Sequence, residues 1–302
     1  MRIDFPWNDR AGRFSTLYAL AFLLTITPAL WLAWDAATGM LGPRPVTEAI
    51  HRTGDWAVRL LLLSLLLTPL RRITGWSRWV LVRRMIGLSV FFYALAHLVL
   101  YALDQSWNIG RVASEIVLRP YLTIGFVALL GLAVLAATST DRAIRRLGRR
   151  WGMLHRIVYL IGVLSLLHFF LQSKINATQA ALMMGFFLLL MGWRLAHKVG
   201  GRLDRPGALL LVALLAAPLT AGLEALWYGL ATSVPWMRVL EANWSLAMWP
   251  RPSFWVLAVG LVAMVLPVLP IIAKRLPMAG ARSRHGGGRS SPASKATVSP
   301  SL

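Results

Sequence analysis

What most constrains this chain is the recurrence of apolar runs long enough, or nearly so, to cross a lipid bilayer, whose hydrocarbon core is roughly 30 Å thick and takes about 20 helical residues to span. Eight runs are expected to do so: about Leu17–Trp34, Thr53–Leu70, Val80–Leu103, Tyr121–Thr138, Trp151–Gln172, Ala177–Ala196, Ala208–Leu230 and Ser253–Ala273. Inside a bilayer the backbone has no water to bond to, so continuous apolar runs of this length are expected to be helices. In the second run the uninterrupted apolar stretch is short and Arg59 lies near its start, where a long side chain can snorkel to the interface. Charged residues are only 14% of the 302, against roughly 25% in soluble domains. The expected fold class is an all-α, polytopic transmembrane helix bundle of about eight spans.

The net charge of +21 is distributed as an orientation signal, not as a nucleic-acid surface. Alternate segments between the runs carry Arg2, Arg10 and Arg13; Arg71, Arg72, Arg78, Arg83 and Arg84; the Arg142–Arg150 cluster with Arg156; Arg194, Lys198, Arg202 and Arg205; and the basic residues from Lys274 on. The intervening segments hold only Arg44, Arg52, Arg59, Arg111, Arg119, Lys174, Arg238 and Arg251. Basic residues concentrate on the cytoplasmic side of membrane proteins, so both termini are expected in the cytoplasm of a bacterial inner-membrane protein. Trp34, Trp56, Trp79, Trp107, Trp151, Trp193, Trp227 and Trp255 fall near the expected interfaces, where an indole keeps its N–H wet. The first run is long for a signal sequence and no clear cleavage site follows, so it is read as retained. The organisation expected is a six-helix membrane core at 1–200, two further membrane helices at 201–276 and a disordered cytoplasmic tail at 277–302, rich in Gly, Ser, Pro and Arg. No internal repeat is evident.

There is no cysteine, which excludes disulfides, iron–sulfur clusters, thiolate-ligated haem and covalent haem attachment. Three histidines lie inside runs: His97, His155 and His168. Ionisable groups at membrane depth are costly and mark functional sites. Helix–helix hydrogen bonding is the competing explanation, and three histidines confined to two runs weigh against it. The third and fifth runs both head outward, so His97 and His168 come to similar depth on the periplasmic side. Two facing imidazoles in a helix bundle are what low-spin b-type haem requires. His155 lies one turn into the fifth run on the cytoplasmic side, 13 residues before His168, about 20 Å along a helix. A second haem there stays open, because no other histidine stands at that depth and an ideal helix would turn the two rings apart. Glu224 is the one acidic residue expected within a span. It is read as reaching the interface in preference to relaying protons.

Several ordered stretches carry a resemblance: Thr53-Gly54, Leu67-Thr68-Pro69-Leu70-Arg71-Arg72, Arg83-Arg84-Met85-Ile86-Gly87-Leu88, Arg119-Pro120-Tyr121, Thr138-Ser139-Thr140, Leu147-Gly148-Arg149-Arg150-Trp151, Leu154-His155-Arg156 and Val158-Tyr159-Leu160, followed by His168. Over about residues 15–197 the chain resembles the MsrQ (formerly YedZ) family, haem-binding membrane subunits of the periplasmic methionine sulfoxide reductase system, within the ferric-reductase-like transmembrane group. The resemblance implies haem b, with haem-linked histidines at His97, His155 and His168. It also implies electrons drawn from quinone or a cytoplasmic flavin reductase, and a periplasmic molybdopterin-containing catalytic subunit as acceptor. FMN is implied by the resemblance alone, and the Arg142–Arg150 cluster is read as an orientation signal before a flavin-phosphate site. The chain departs from many members by continuing for two more helices.

Other classes fit less well. A proton-coupled transporter using the intramembrane histidines would call for broken helices and repeat symmetry. An intramembrane protease would call for H-E-x-x-H or G-x-S-x-G, both absent. A self-contained NAD(P)H oxidase would need a nucleotide-binding domain, for which the tail is too short. By itself such a chain is expected to be a non-catalytic wire.

Overall fold

A computed structural model of the chain describes residues 5–8, 11–173, 176–245, 248 and 250–267. Those residues form helices α1 (Thr16–Ala37), α2 (Pro45–Thr74), α3 (Arg83–Asp104), α4 (Ile109–Leu118), α5 (Pro120–Ala137), α6 (Asp141–Leu147), α7 (Arg149–Leu154), α8 (Val158–Gln172), α9 (Thr178–Lys198), α10 (Pro206–Ala231), α11 (Trp236–Trp244) and α12 (Pro252–Val265). No strand occurs among the described residues, which bears out the all-helical expectation.

Six helical segments are long and apolar enough to cross a membrane: Thr16–Ala37, Ser77–Asp104, Pro120–Ala137, Arg149–Gln172, Thr178–Lys198 and Pro206–Ala231. The chain is a multi-pass membrane protein. The expected second span lies in α2, which is not among the six. Its first half carries Glu48, Arg52, Asp55 and Arg59, and its last turn Arg71 and Arg72. The expected eighth span coincides with α12, described over 14 residues. The rest of that span, from 268 to 273, and the expected tail lie outside the described residues.

Local chemistry places the helix ends. Pro45, Pro120, Pro206 and Pro252 open α2, α5, α10 and α12, where a missing N–H costs nothing. Gly75 closes α2 in the left-handed conformation at φ 71°, which suits glycine. Thr140 caps α6 through its side chain onto the Ala143 N–H.

The core is a continuous apolar cluster fed by α1, α2, α3, α5, α8, α9, α10 and α12. α2 lies along α3, α5 along α8, and α9 joins this part of the bundle to α10 and α12. Four sequence expectations are corrected. The Trp193 indole is not held wet: it is packed in the core and only 2% exposed. The fifth span is not one continuous helix, because a 3-10 turn at His155–Ile157 separates α7 from α8. Arg194 points inward, donating to the carbonyl oxygens of Leu190 at 3.0 Å and of Leu65 on α2, with its guanidinium 5.6 Å from the Tyr159 ring centre. Glu224 does not reach an interface. It is fully buried, accepting from Arg251 and from Asn243, each at 2.8 Å, while Ser253 donates to Asn243 at 2.8 Å.

Candidate functional site

The third and fifth apolar runs place His97 on α3 and His168 on α8, and the bundle turns both rings toward one another. Their centroids are 6.3 Å apart and their planes stand at 87°. Both residues are half-buried. His97 Nδ1 lies 2.8 Å from the Ile50 carbonyl oxygen of α2, and His168 Nδ1 lies 2.7 Å from the Tyr121 carbonyl oxygen of α5. A carbonyl oxygen can only accept, so each Nδ1 carries the proton and donates it. In a neutral imidazole the remaining nitrogen, Nε2, then keeps its lone pair. That division of labour is the one metal-bound histidines use, with the outer N–H held by a carbonyl that fixes tautomer and ring orientation.

The separation fits a metal between the rings. A transition-metal–imidazole bond of about 2 Å on each side plus roughly 1 Å from each nitrogen to its ring centre sets opposed ligands about 6 Å apart. The observed 6.3 Å accommodates one such centre. The chemistry fits haem in particular: two neutral imidazoles facing each other between apolar helices, with no thiolate in the chain.

Two residue pairs to which the sequence reading gave no role complete the arrangement, although Gly54 and Tyr121 stand in the stretches that carry the resemblance. Ile50 and Tyr121 supply the carbonyls. Gly54 and Gly125, each one helical turn further on, bring bare backbone against the rings: a Cβ at Gly54 would stand 3.0 Å from His97 Nδ1, and one at Gly125 2.8 Å from His168 Nδ1. The available signal was an isolated glycine inside a helical pattern, which marks close packing without naming the neighbour.

His155 is not brought to this pair. It sits at the 3-10 turn, its Nδ1 3.2 Å from the carbonyl oxygen of Trp151 and its ring stacked on that indole at 3.9 Å and 27°. Trp151 is itself anchored, donating from Nε1 to the Thr138 carbonyl at 2.9 Å. His155 Nε2 is buried and has no hydrogen-bond partner among the described residues. Because the 3-10 turn breaks the helix, the ideal-helix azimuth between His155 and His168 does not apply.

Comparison with known proteins bears on this site. The model of the ferric reductase like transmembrane component family matches residues 53–166, the stretch that carries Gly54, His97, Gly125 and His155. A protein of Xanthomonas axonopodis pv. citri, named protein-methionine-sulfoxide reductase heme-binding subunit MsrQ, is 44% identical over 185 residues, 61% of this chain and 85% of the relative. The chain belongs to the MsrQ family. MsrQ of Xanthomonas campestris pv. campestris (strain B100) is 46% identical over 57% of this chain and 79% of its own length. MsrQ of Brucella anthropi is 41% identical over 60% and 80%. Each alignment to an MsrQ relative leaves more than a third of the present chain unmatched, in keeping with a chain longer than these relatives. No solved structure matches the chain.

Proposed function

We propose that this chain holds b-type haem between His97 and His168 and serves as the electron-transfer membrane subunit of a periplasmic methionine sulfoxide reductase. The observation that carries the reading is the opposed imidazole pair at 6.3 Å, each ring tied through Nδ1 to a backbone carbonyl. Haem held there supplies one-electron transfer. The chain's own contribution is positional. α3 and α8 present the ligands, α2 and α5 orient them, and the apolar packing of those four helices keeps water from the centre.

Family membership and chain architecture support the rest of the circuit. Among the described residues no segment between helices is long enough to form a catalytic domain, so sulfoxide reduction falls to a separate periplasmic subunit, a molybdoenzyme on the family resemblance. Electrons enter from the cytoplasmic side, from quinol or a flavin reductase, with His155 and its orphan Nε2 nearest the entry and a candidate ligand for a second haem. FMN enters this reading through the resemblance alone. The chain crosses the bacterial inner membrane eight times, with both termini inside.

The test is the visible spectrum of the detergent-purified protein, oxidised and dithionite-reduced, with a pyridine haemochrome assay for stoichiometry. A sharp reduced α-band of b-type haem is expected, and either His97→Ala or His168→Ala abolishes it. If both variants kept the wild-type haem content, the ligand pair would be wrong. A colourless protein, expressed with ample haem, would turn attention to proton-coupled transport.

A further inference from the structure

The two ligand histidines are held by the same device, used twice. His97 reaches the Ile50 carbonyl and packs on Gly54; His168 reaches the Tyr121 carbonyl and packs on Gly125. Histidine and carbonyl are 47 residues apart in both cases. The carbonyl residue and the glycine are four apart in both cases, and corresponding residues of the two sets stand at a constant offset of 71 in the sequence. The helices correspond as well, α2 with α3 and α5 with α8. No repeat is evident along the sequence because only the histidines and glycines are the same residue in both sets and their neighbours differ, His51, Arg52, Thr53 and Asp55 of α2 corresponding to Leu122, Thr123, Ile124 and Phe126 of α5.

The geometry explains why the glycine comes four residues after the carbonyl. In a helix the oxygen of residue i accepts the N–H of residue i+4. Its second lone pair can accept a side chain only if the approach past residue i+4 is open. A Cβ at Gly54 would sit 3.0 Å from Nδ1 and 3.1 Å from Cε1 of His97; at Gly125 the distances to His168 are 2.8 and 2.9 Å. Glycine packing is common between membrane helices, and here Gly131 and Gly162 show it against Ile161 and Phe187. Those neighbours are apolar and can change rotamer at little cost. An imidazole has no such freedom, since any retreat gives up its carbonyl.

We propose that Gly54 and Gly125, with the carbonyls of Ile50 and Tyr121, are duplicated positioning seats that set the tautomer, tilt and basicity of the two haem ligands. This rests on the haem reading above. An alanine at either seat pushes the ring off its carbonyl and weakens the Nδ1–H bond. The ligand then donates less electron density, the ferric state is favoured less, and the midpoint potential rises.

The experiment is a redox titration and low-temperature EPR of the full-length wild type and of Gly54→Ala, Gly125→Ala and Gly87→Ala. Gly87, on α3 with nothing within 4 Å of its Cβ position, is the control. Expected are positive shifts of potential and altered low-spin signals at both seats, larger at the tighter Gly125, with no change at Gly87. Wild-type potential and EPR in both seat variants would overturn the seats. If a seat variant fails to accumulate, electron–nuclear double resonance of the oxidised wild type decides. An exchangeable Nδ1 proton with the coupling of a strong hydrogen bond on both ligands supports the seats, and a proton without that bond, or none, on either ring refutes them. Failure of the underlying reading looks different: a wild type without haem, or haem retained when His97 and His168 are replaced.

Discussion

At the residue scale, one ring nitrogen of each of His97 and His168 is already committed to a carbonyl on a neighbouring helix. With Nδ1–H donated to Ile50 or Tyr121, the ring cannot rotate freely, and its mutual angle of 87° is imposed by the helices and not by a ligand. Were haem held between the rings at this angle, oxidised protein would give a strongly anisotropic low-spin EPR signal; a well-resolved rhombic spectrum would show that the rings turn parallel on binding haem. Glu224 illustrates a different use of burial. Its carboxylate, 0% exposed, is neutralised by Arg251, whose side chain is 18% exposed. Removing one partner of such a pair strands the other charge, at about 3–5 kcal/mol. Glu224→Ala should lower stability by about that much in thermal unfolding in detergent, while the haem spectrum stays as in wild type. A changed α-band would mean that the buried pair is coupled to the haem site. Replacing Glu224 and Arg251 together by apolar residues should recover part of the loss.

At the element scale, the bundle divides into helices that make the site and helices that do not. α3 and α8 carry His97 and His168, and α2 and α5 supply the carbonyls and glycines placed against their rings. α10 to α12 are bound to one another by Glu224, Asn243, Arg251 and Ser253, and rest on α9. The buried face of α9 is apolar, with Ala180, Ala181, Met183, Phe187, Leu189, Leu190 and Trp193, so lipid can replace α10 along it, while at its start the Ala177 N–H loses the Tyr228 hydroxyl to which it donates at 3.2 Å. A chain ending after Arg205 should keep its haem and its reduced α-band, read by haemochrome assay. Loss of haem would assign the extension to the site. α2 is the element whose sequence and role diverge most. Its 30 residues span about 45 Å at 1.5 Å each, enough for the hydrocarbon core and both headgroup regions. The charges of its first half are compensated locally. Arg52 pairs with Asp35 and Glu48, and Arg59 pairs with Asp55 while lying 5.2 Å from the centre of the Trp56 ring.

For the whole molecule, the alternation of basic segments and the site at one end make sidedness a testable property. The chain has no cysteine, so single cysteines introduce unique labels. If α2 crosses the membrane, Met40→Cys should react with an impermeant maleimide in intact spheroplasts, as should Asp104→Cys, while Ser77→Cys reacts only after lysis. Labelling of Met40→Cys and Ser77→Cys from the same side would show that α2 does not span. The composition and spacing of the apolar runs determined the helical class, the membrane setting and the choice of His97, His155 and His168, because bilayer thickness and the cost of burying charge act on any chain regardless of its packing. How the histidines differ was decided only in three dimensions. His97 and His168 became a pair because α2 and α5 offered carbonyls beside glycines, whereas His155 was set on Trp151 by a turn that apolar periodicity does not encode. Arg194, Trp193 and Glu224 make the same point: hydropathy reports depth along a helix, and only the neighbouring helices decide which way a side chain faces and what it meets.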